Sequence, residues 1–246
     1  MYSPIQDGIE KTIRSVQYTE AKPPSRLLGL VHCFWELKTE HALLDDFILH
    51  ALPDACVNIV FNQIETNIVG ITALRTTYEE LNLGKWFDYS GIQFLPGVWQ
   101  GSREEIVDQY IGTPYLGNLP LIETNNKIAK VDFFAKQSVF SDLVQWFINE
   151  KLVIVNTVTE KILMNIDDIH SVTDMAAMTN MSPRHLQRLL KRTTGFSPHN
   201  LLKVLRMQQS FTKHYLESYA DQSHYIHSFR KITGYTPAKY AEKFNV

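Results

Sequence analysis

The feature that most constrains this chain is a repeat near its C-terminus. The stretch from Ser171 to Pro198 overlays the stretch from Ser210 to Pro237 without a gap, at a constant shift of 39 positions. Both copies close on a basic residue followed by x-Thr-Gly-aromatic-hydroxyl-Pro, as Arg192-Thr-Thr-Gly-Phe-Ser-Pro198 and Lys231-Ile-Thr-Gly-Tyr-Thr-Pro237. Such self-similarity indicates one small structural unit built twice.

The first copy reads as two short helices joined by a tight turn. Ser171 is placed to cap the first helix, and the small pair Ala176-Ala177 would let a second helix approach closely. Thr179-Asn180-Met181 makes the turn. Ser182 then caps the second helix, with Pro183 at its first position, where a missing N–H costs nothing.

The second helix of this copy separates an apolar face from a polar one. Leu186 and Leu190 are four residues apart and point to the core, and Gly195 ends the helix. The outward positions are Arg184, Gln187, Arg188 and Lys191. Arg pairs with guanine and Gln with adenine in the DNA major groove, so this face is suited to reading bases. The alternative is an ordinary solvated face, because many pairs of amphipathic helices share this pattern.

These motifs resemble the AraC/XylS transcription regulators over about the last third of the chain. The resemblance is carried by Met181-Ser-Pro-Arg-His-Leu-Gln-Arg-Leu-Leu, Thr194-Gly-Phe-Ser-Pro, Leu205-Arg-Met, Tyr219-Ala-Asp-Gln-Ser-His-Tyr-Ile and Thr233-Gly-Tyr-Thr-Pro237. It implies two helix-turn-helix units joined by a linker helix that begins near His199. It also implies base-facing positions, which are Arg184, Gln187 and Arg188 in the first unit and Gln222, Ser223, Ile226 and His227 in the second.

The sequence departs from this family between the two units, where the family carries roughly ten more residues. The expected linker helix, Asn200 to Leu216, is separated from the motif at Tyr219 by only Glu217 and Ser218. One continuous helix must then serve as linker and as support, or the support is missing. Tyr215-Leu216 also replaces the small pair Ala176-Ala177 of the first copy. We therefore expect a shortened second unit.

Charge is distributed unevenly along the chain. The net charge is −2, but residues from Asn165 onward carry 11 Lys/Arg and 6 Asp/Glu, and the preceding part carries 13 and 20. A basic segment behind an acidic body is typical of a DNA-binding part attached to a separate sensor domain.

The N-terminal part is rich in short segments of β-branched and aromatic residues punctuated by turn signals. The predicted strands are Leu27–Lys38, Phe47–Leu52, Val57–Phe61, Asn67–Leu74, Thr76–Leu81 and Tyr89–Leu95. From Ile122 the apolar spacing becomes helical, and Val155–Met164 is a further predicted helix. The expected fold class is α+β, with an N-terminal antiparallel β-barrel followed by helices and an all-α domain with tandem helix-turn-helix units. The expected domains are residues 1–136 (sensor and dimerisation), 137–165 (connecting helices) and 166–246 (DNA binding).

Two segments of the N-terminal part, Leu52-Pro-Asp-Ala-Cys-Val-Asn-Ile-Val-Phe61 and Gly91-Ile-Gln-Phe-Leu-Pro-Gly97, resemble the cupin-like sensor domain of some AraC-type regulators. The resemblance implies a small-molecule effector inside the barrel. Five aromatic residues are candidates to line such a site: Trp35, Trp86, Trp99, Tyr89 and Phe94. The alternative, that they are core residues, is favoured for aromatics in a small barrel.

The chain offers little for catalysis. His32, His41 and His50 are nine residues apart and form no His-x-His pair, so no metal site is predicted. No Gly-rich phosphate loop, Gly-x-Ser-x-Gly or His-Glu-x-x-His motif occurs. Cys33 and Cys56 are too few for a four-Cys zinc site and are interpreted as buried thiols. We expect no enzyme activity and no cofactor.

The sequence thus predicts a sequence-specific, DNA-binding transcription regulator that responds to an effector through its barrel. The alternative is a regulator-derived dimerisation or ligand-binding module whose DNA binding is impaired by the shortened second unit. The expected partners are double-stranded DNA, a small-molecule effector and a second copy of the chain, with no membrane. The absence of a secretory signal pattern and of a long apolar run predicts a cytoplasmic protein.

Overall fold

The computed structural model describes residues 4, 8–72, 74–102, 106, 112–211 and 222–244. Antiparallel strands form the N-terminal half and helices form the rest, which confirms the predicted α+β class. The strands are β1 (Val16–Ala21), β2 (Val31–Thr39), β3 (Phe47–Ala51), β4 (Val57–Asn62), β5 (Val69–Ile71), β6 (Glu79–Gly84) and β7 (Asp88–Phe94). The helices are α1 (Leu121–Ile128), α2 (Phe133–Asn149), α3 (Thr157–Met164), α4 (Val172–Met178), α5 (Pro183–Thr193), α6 (Pro198–Gln209), α7 (Gln222–Thr233) and α8 (Pro237–Lys243).

The strands described form two sheets, a five-stranded one in the order β1-β2-β7-β4-β5 and a pair, β3-β6. Side chains alternate across the larger sheet, so that Phe34 faces α1 and α2 while Trp35 faces the β3-β6 pair. Strands β4 and β7 are therefore covered on both faces. Gly91 of β7 makes room for Trp35, since a Cβ there would lie 2.4 Å from the indole ring.

The six predicted strands overlap strands of the structure, but the residues at which some of them begin or end differ. The predicted strand at Leu27 begins only at Val31, because Ser25–Leu27 forms a 3-10 turn. Similarly, β5 is shorter than predicted and β6 starts at Glu79. Strand β1 was not predicted from sequence.

Helix α2 covers the outer face of the large sheet. Asp132 caps it by accepting from the amide of Ala135 at 2.9 Å, and Phe140 and Phe147 are fully buried against the strands. The helix runs across the expected domain boundary at residues 136/137, and the domain division itself stays a prediction. No helix in the described part of the chain is long and apolar enough to cross a membrane.

Of the two alternatives that the sequence left open, a single continuous helix from Asn200 to Leu216 is wrong, and the missing support stays untested. Helix α6 ends at Gln209, and the amide of Ser210 donates to the carbonyl of Arg206 at 3.0 Å as the chain turns. Residues 212–221, including Tyr215, Leu216 and the predicted support, lie outside the described residues.

Candidate nucleic-acid interface

Helices α4 and α5 and the turn between them lie where the sequence predicts them. Ser171 accepts from the amide of Asp174 at 3.1 Å, and Ser182 accepts from the amide of His185 at 3.3 Å. Asn180 takes a left-handed conformation with φ 55° to make the turn. Ala176 is buried at this helix contact, whereas Ala177 is exposed, so the expectation of close packing is wrong for Ala177.

The two faces of α5 separate as predicted. Leu186 and Leu190 are fully buried, while Arg184, Gln187 and Arg188 are exposed. Lys191 is also exposed, but its ammonium donates to the carbonyl of Gly195 at 2.9 Å. That contact satisfies a carbonyl just beyond the helix end, a structural role that the sequence analysis did not assign.

Helix α7 repeats this arrangement at equivalent positions. Tyr225 and Phe229 are buried where α5 has its two leucines, and Ser223, Ile226 and His227 are exposed. Gln222 begins α7, and its side chain lies outside the described part of the structure. Both units therefore present the predicted base-facing positions to solvent wherever the side chain is described.

The motif that closes each copy forms the same turn twice. Gly195 and Gly234 have φ angles of 77° and 79°. The threonine before each glycine returns a hydrogen bond to its own helix, from Thr194 Oγ1 to the Leu190 carbonyl at 2.7 Å and from Thr233 Oγ1 to the Phe229 carbonyl at 2.9 Å. A hydroxyl residue then caps the next helix, Ser197 for α6 and Thr236 for α8.

Both units pack against the β half of the molecule, which is the N-terminal part that contains strands β1 to β7. Around α4, α5 and α6, the apolar core includes Ala55 and Cys56 from the segment before β4. The core around α7 and α8 includes Leu52, and the Gln208 amide donates to the Pro53 carbonyl at 2.9 Å. The loop after β3 thus contacts both units.

An aromatic cluster completes the contact with the second unit. His50 of β3 stacks on Tyr78 with 4.6 Å between ring centroids and on Phe244 at 4.9 Å, and it meets Tyr235 edge-on. Burial lowers the pKa of His50, although a backbone hydrogen bond at Thr233 opposes this. Sequence reasoning treated His50 only as a candidate metal ligand and missed this interface.

The β half contains a small polar cavity of about 90 Å³. Asp54 and Arg75 contribute to its wall, and Trp35 lies beside them. Burial raises the pKa of the Asp54 carboxyl, against hydrogen bonds from the Cys56 amide and the Gln93 side chain. Nη2 of Arg75 is buried and has no hydrogen-bond partner among the described residues.

The other aromatic candidates for an effector site lie elsewhere. Trp99 and Phe94 are buried against the helices, and Tyr89 is buried on the opposite face of the sheet. Trp86 is 53% exposed. Of the five, only Trp35 contributes to the cavity described above.

The histidines considered for a metal site are separated in the fold. His32 bonds the Gln93 side chain at 2.6 Å, and His41 pairs with Ser15 at 3.2 Å. Among the described residues, no three His, Cys, Asp or Glu side chains are grouped as metal ligands. Cys33 and Cys56 are both buried, as predicted, and burial raises the pKa of each thiol.

Comparison with known proteins matches part of the chain to a family whose function is unknown. A family model described as a domain of unknown function (DUF6597) matches residues 19–109, which is less than half of the chain. No curated protein matches. The chain is similar to a solved structure of ToxT from Vibrio cholerae at 11% identity and a TM-score of 0.42, covering 92% of this chain and 98% of that one. A second structure, ToxT from Vibrio cholerae O395, gives 12% identity, a TM-score of 0.41 and coverages of 93% and 97%.

Proposed function

We propose that this chain is a sequence-specific DNA-binding transcription regulator of the AraC/XylS type. The observation that carries the proposal is the repeated unit, in which α5 and α7 expose side chains at equivalent positions, all polar on α5 and polar except for Ile226 on α7. Their opposite faces are buried, so each helix has one face available to a partner. A rigid helix with exposed Arg and Gln near its N-terminal end is the standard major-groove reader.

The two reading helices differ in chemistry. In α5 the exposed face offers Arg184, Gln187 and Arg188, which reach base edges by hydrogen bonds. In α7 the face offers Ser223, Ile226 and His227, with a smaller capacity for bidentate contacts. The first unit therefore supplies most of the base discrimination, and the second supplies apolar and weaker polar contacts.

Substitution of Arg188 by Ala tests the reading role of α5. On a DNA site selected with the parent protein, we expect a loss of about 1–3 kcal/mol and relaxed preference at one base position. Arg14→Ala, at an exposed position in the β half, is the matched control and leaves affinity unchanged. Fluorescence anisotropy measures both affinities, and equal affinity of Arg188→Ala and parent would refute the assignment.

The polar cavity in the β half supports the effector-responsive part of the proposal. Asp54 and the unpartnered Nη2 of Arg75 suit it to a small polar molecule rather than an apolar one. A molecule that binds there raises the Tm of the parent with concentration, and Arg75→Leu removes the rise. A homodimer remains a further prediction, which light scattering on the purified chain tests.

A further inference from the structure

A basic cleft lies between α6 and α7, with a volume of about 260 Å³. It is lined by His199, Leu202, Lys203, Arg206, His227, Ser228 and Lys231. These side chains include three permanent or near-permanent cations, two imidazoles and a hydroxyl, and no carboxylate. A concave surface of this composition concentrates positive potential.

Two lysines, Lys203 and Lys231, line the same cleft. Lys203 is partly buried, and Lys231 lies close enough that its charge joins burial in lowering the pKa of Lys203. Among the described residues, neither lysine forms an ion pair. The cleft between α6 and α7 therefore brings together two like charges that repel each other, and an anion bound between them would offset this repulsion.

The side chain of Arg206, one of the residues that line the cleft, is held in place by hydrogen bonds. The Arg206 guanidinium donates to the carbonyls of Ile169 and His170, just before the cap of α4. Leu202 of α6, which also lines the cleft, is buried. These contacts orient Arg206 before any ligand arrives, so that binding costs little side-chain entropy.

The cleft also adjoins the predicted reading faces. His199 lies in the first turn of α6, directly after the turn that closes α5. His227 belongs both to the cleft and to the exposed face of α7. An anion in the cleft would therefore lie beside the part of α7 that is expected to approach DNA.

We propose that this cleft binds a phosphate group. Lysine ammonium groups bind phosphate as point charges, and imidazole N–H groups and a serine hydroxyl add hydrogen bonds to its oxygens. Two sources share this chemistry: the DNA backbone between the two reading helices, or a small phosphorylated molecule. The DNA source rests on the proposed function and is the one we favour, because His227 lies on both surfaces.

The test uses Lys203→Gln, Lys231→Gln and the double variant in the full chain, with Lys130→Gln as the matched control. Lys130 is an exposed lysine between α1 and α2 and does not line the cleft. In the DNA arm, the slope of log K against log salt is measured for each protein. Each lost phosphate contact reduces its magnitude by about 0.9. Because such lines converge near 1 M salt, one lost contact weakens binding at 0.1 M about eightfold.

In the second arm, the Tm is measured with inorganic phosphate and with chloride at equal ionic strength. A phosphate-specific rise in the parent and in Lys130→Gln that is absent from the double variant indicates that the cleft accepts free phosphate. Without phosphate, Lys231→Gln should not lower the Tm, because it removes a repulsion with Lys203.

The outcomes separate the two proposals. A reduced slope in the cleft variants alone supports the DNA backbone as the source. If the parent does not bind DNA but shows the phosphate-specific rise, the proposed function fails and the phosphate site stands. If the parent binds DNA while the cleft variants match Lys130→Gln in both arms, the phosphate site is refuted and the function stands. If the parent shows neither response, both are refuted.

Discussion

Replacing the glycine of each closing turn by alanine tests whether the second unit is packed on the β half. Gly195 and Gly234 share a left-handed backbone, with φ 77° and 79°, and so share the conformational cost of a Cβ. Their surroundings differ. A Cβ at Gly195 lies 3.5 Å from Leu74 Cδ1, which is an ordinary contact, whereas a Cβ at Gly234 lies 2.8 Å from two ring carbons of Tyr78.

The expected loss of stability follows from these distances. A left-handed conformation costs a non-glycine residue about 1–2 kcal/mol, and the lower unfolded-state entropy of alanine offsets about 0.4–1 kcal/mol of it. Gly195→Ala should therefore cost about 1 kcal/mol. Gly234→Ala adds overpacking of about 1–3 kcal/mol. Tyr78 cannot simply rotate away without losing contacts, because it stacks on His50 and its amide donates to the Ile232 carbonyl at 2.7 Å.

Urea unfolding of the full chain measures both costs, and the Tyr78→Ala background identifies their source. In that background the extra cost of Gly234→Ala should disappear, so that the two glycine substitutions agree to within about 0.5 kcal/mol. Gly195→Ala is the internal control, because Tyr78 does not approach it. Equal costs in the parent background would mean that Tyr78 does not pack on this turn, and the docked arrangement would be refuted.

Three further predictions concern other parts of the fold. Burial lowers the pKa of His50, so the unfolded chain binds its proton at a higher pH; His50 therefore reduces stability as pH falls below about 6.5. Between pH 7 and pH 5 the parent should lose more unfolding free energy than His50→Phe, and parallel losses would contradict this. Lys136→Met removes the buried partner of Glu36 at 2.7 Å but leaves that carboxylate its ion pair with the part-exposed Lys38 at 2.6 Å. The expected loss of stability is therefore below the roughly 3 kcal/mol of a stranded buried charge; Glu36→Gln should restore part of the loss, and no recovery would exclude the ion pair as the cause. Ser182→Ala removes the cap of α5 and should cost about 1 kcal/mol in urea unfolding, whereas Ser182→Asp should restore it; an unchanged stability in Ser182→Ala would exclude the cap.

The helices of the first unit were predictable because their signals are local. Ser171 and Ser182 start helices, Gly195 ends one, and Pro198 opens the next, each for a reason contained within a few residues. The repeat then located the same closing motif, Lys231 to Pro237, in the second unit. The end of α6 at Gln209 was not predictable in this way. Apolar and polar residues continue to alternate at helical spacing after Gln209, so the sequence carries no stop signal there.

The sheets were predictable only in part, because pairing is a long-range property. Turn residues located six of the strands, but their sequence order does not indicate that β7 lies between β2 and β4. Strand β1 (Val16–Ala21) was not predicted, because it is an edge strand that pairs only with β2 and most of its side chains are exposed or half-exposed. It lacks the clear apolar alternation that identifies a strand in sequence.

The interface and the basic cleft could not be predicted, because each joins residues from distant segments. His50 is an isolated histidine in sequence, and its ring partners Tyr78 and Phe244 come from the β half and the C-terminal end. Lys203 and Lys231 are brought together only by the packing of α6 on α7. A pattern search along the chain carries no signal for either pair.

The most direct measurement of the central claim is the fluorescence-anisotropy binding of the purified chain to DNA fragments from its own upstream region. Random DNA of the same length is the control, and both are measured at low and at physiological salt. The proposed regulator prefers its upstream fragment, and the preference survives physiological salt because base contacts add to the phosphate contacts. Weak binding that is equal for both DNAs and is lost at physiological salt would contradict the claim and favour a module with impaired DNA binding.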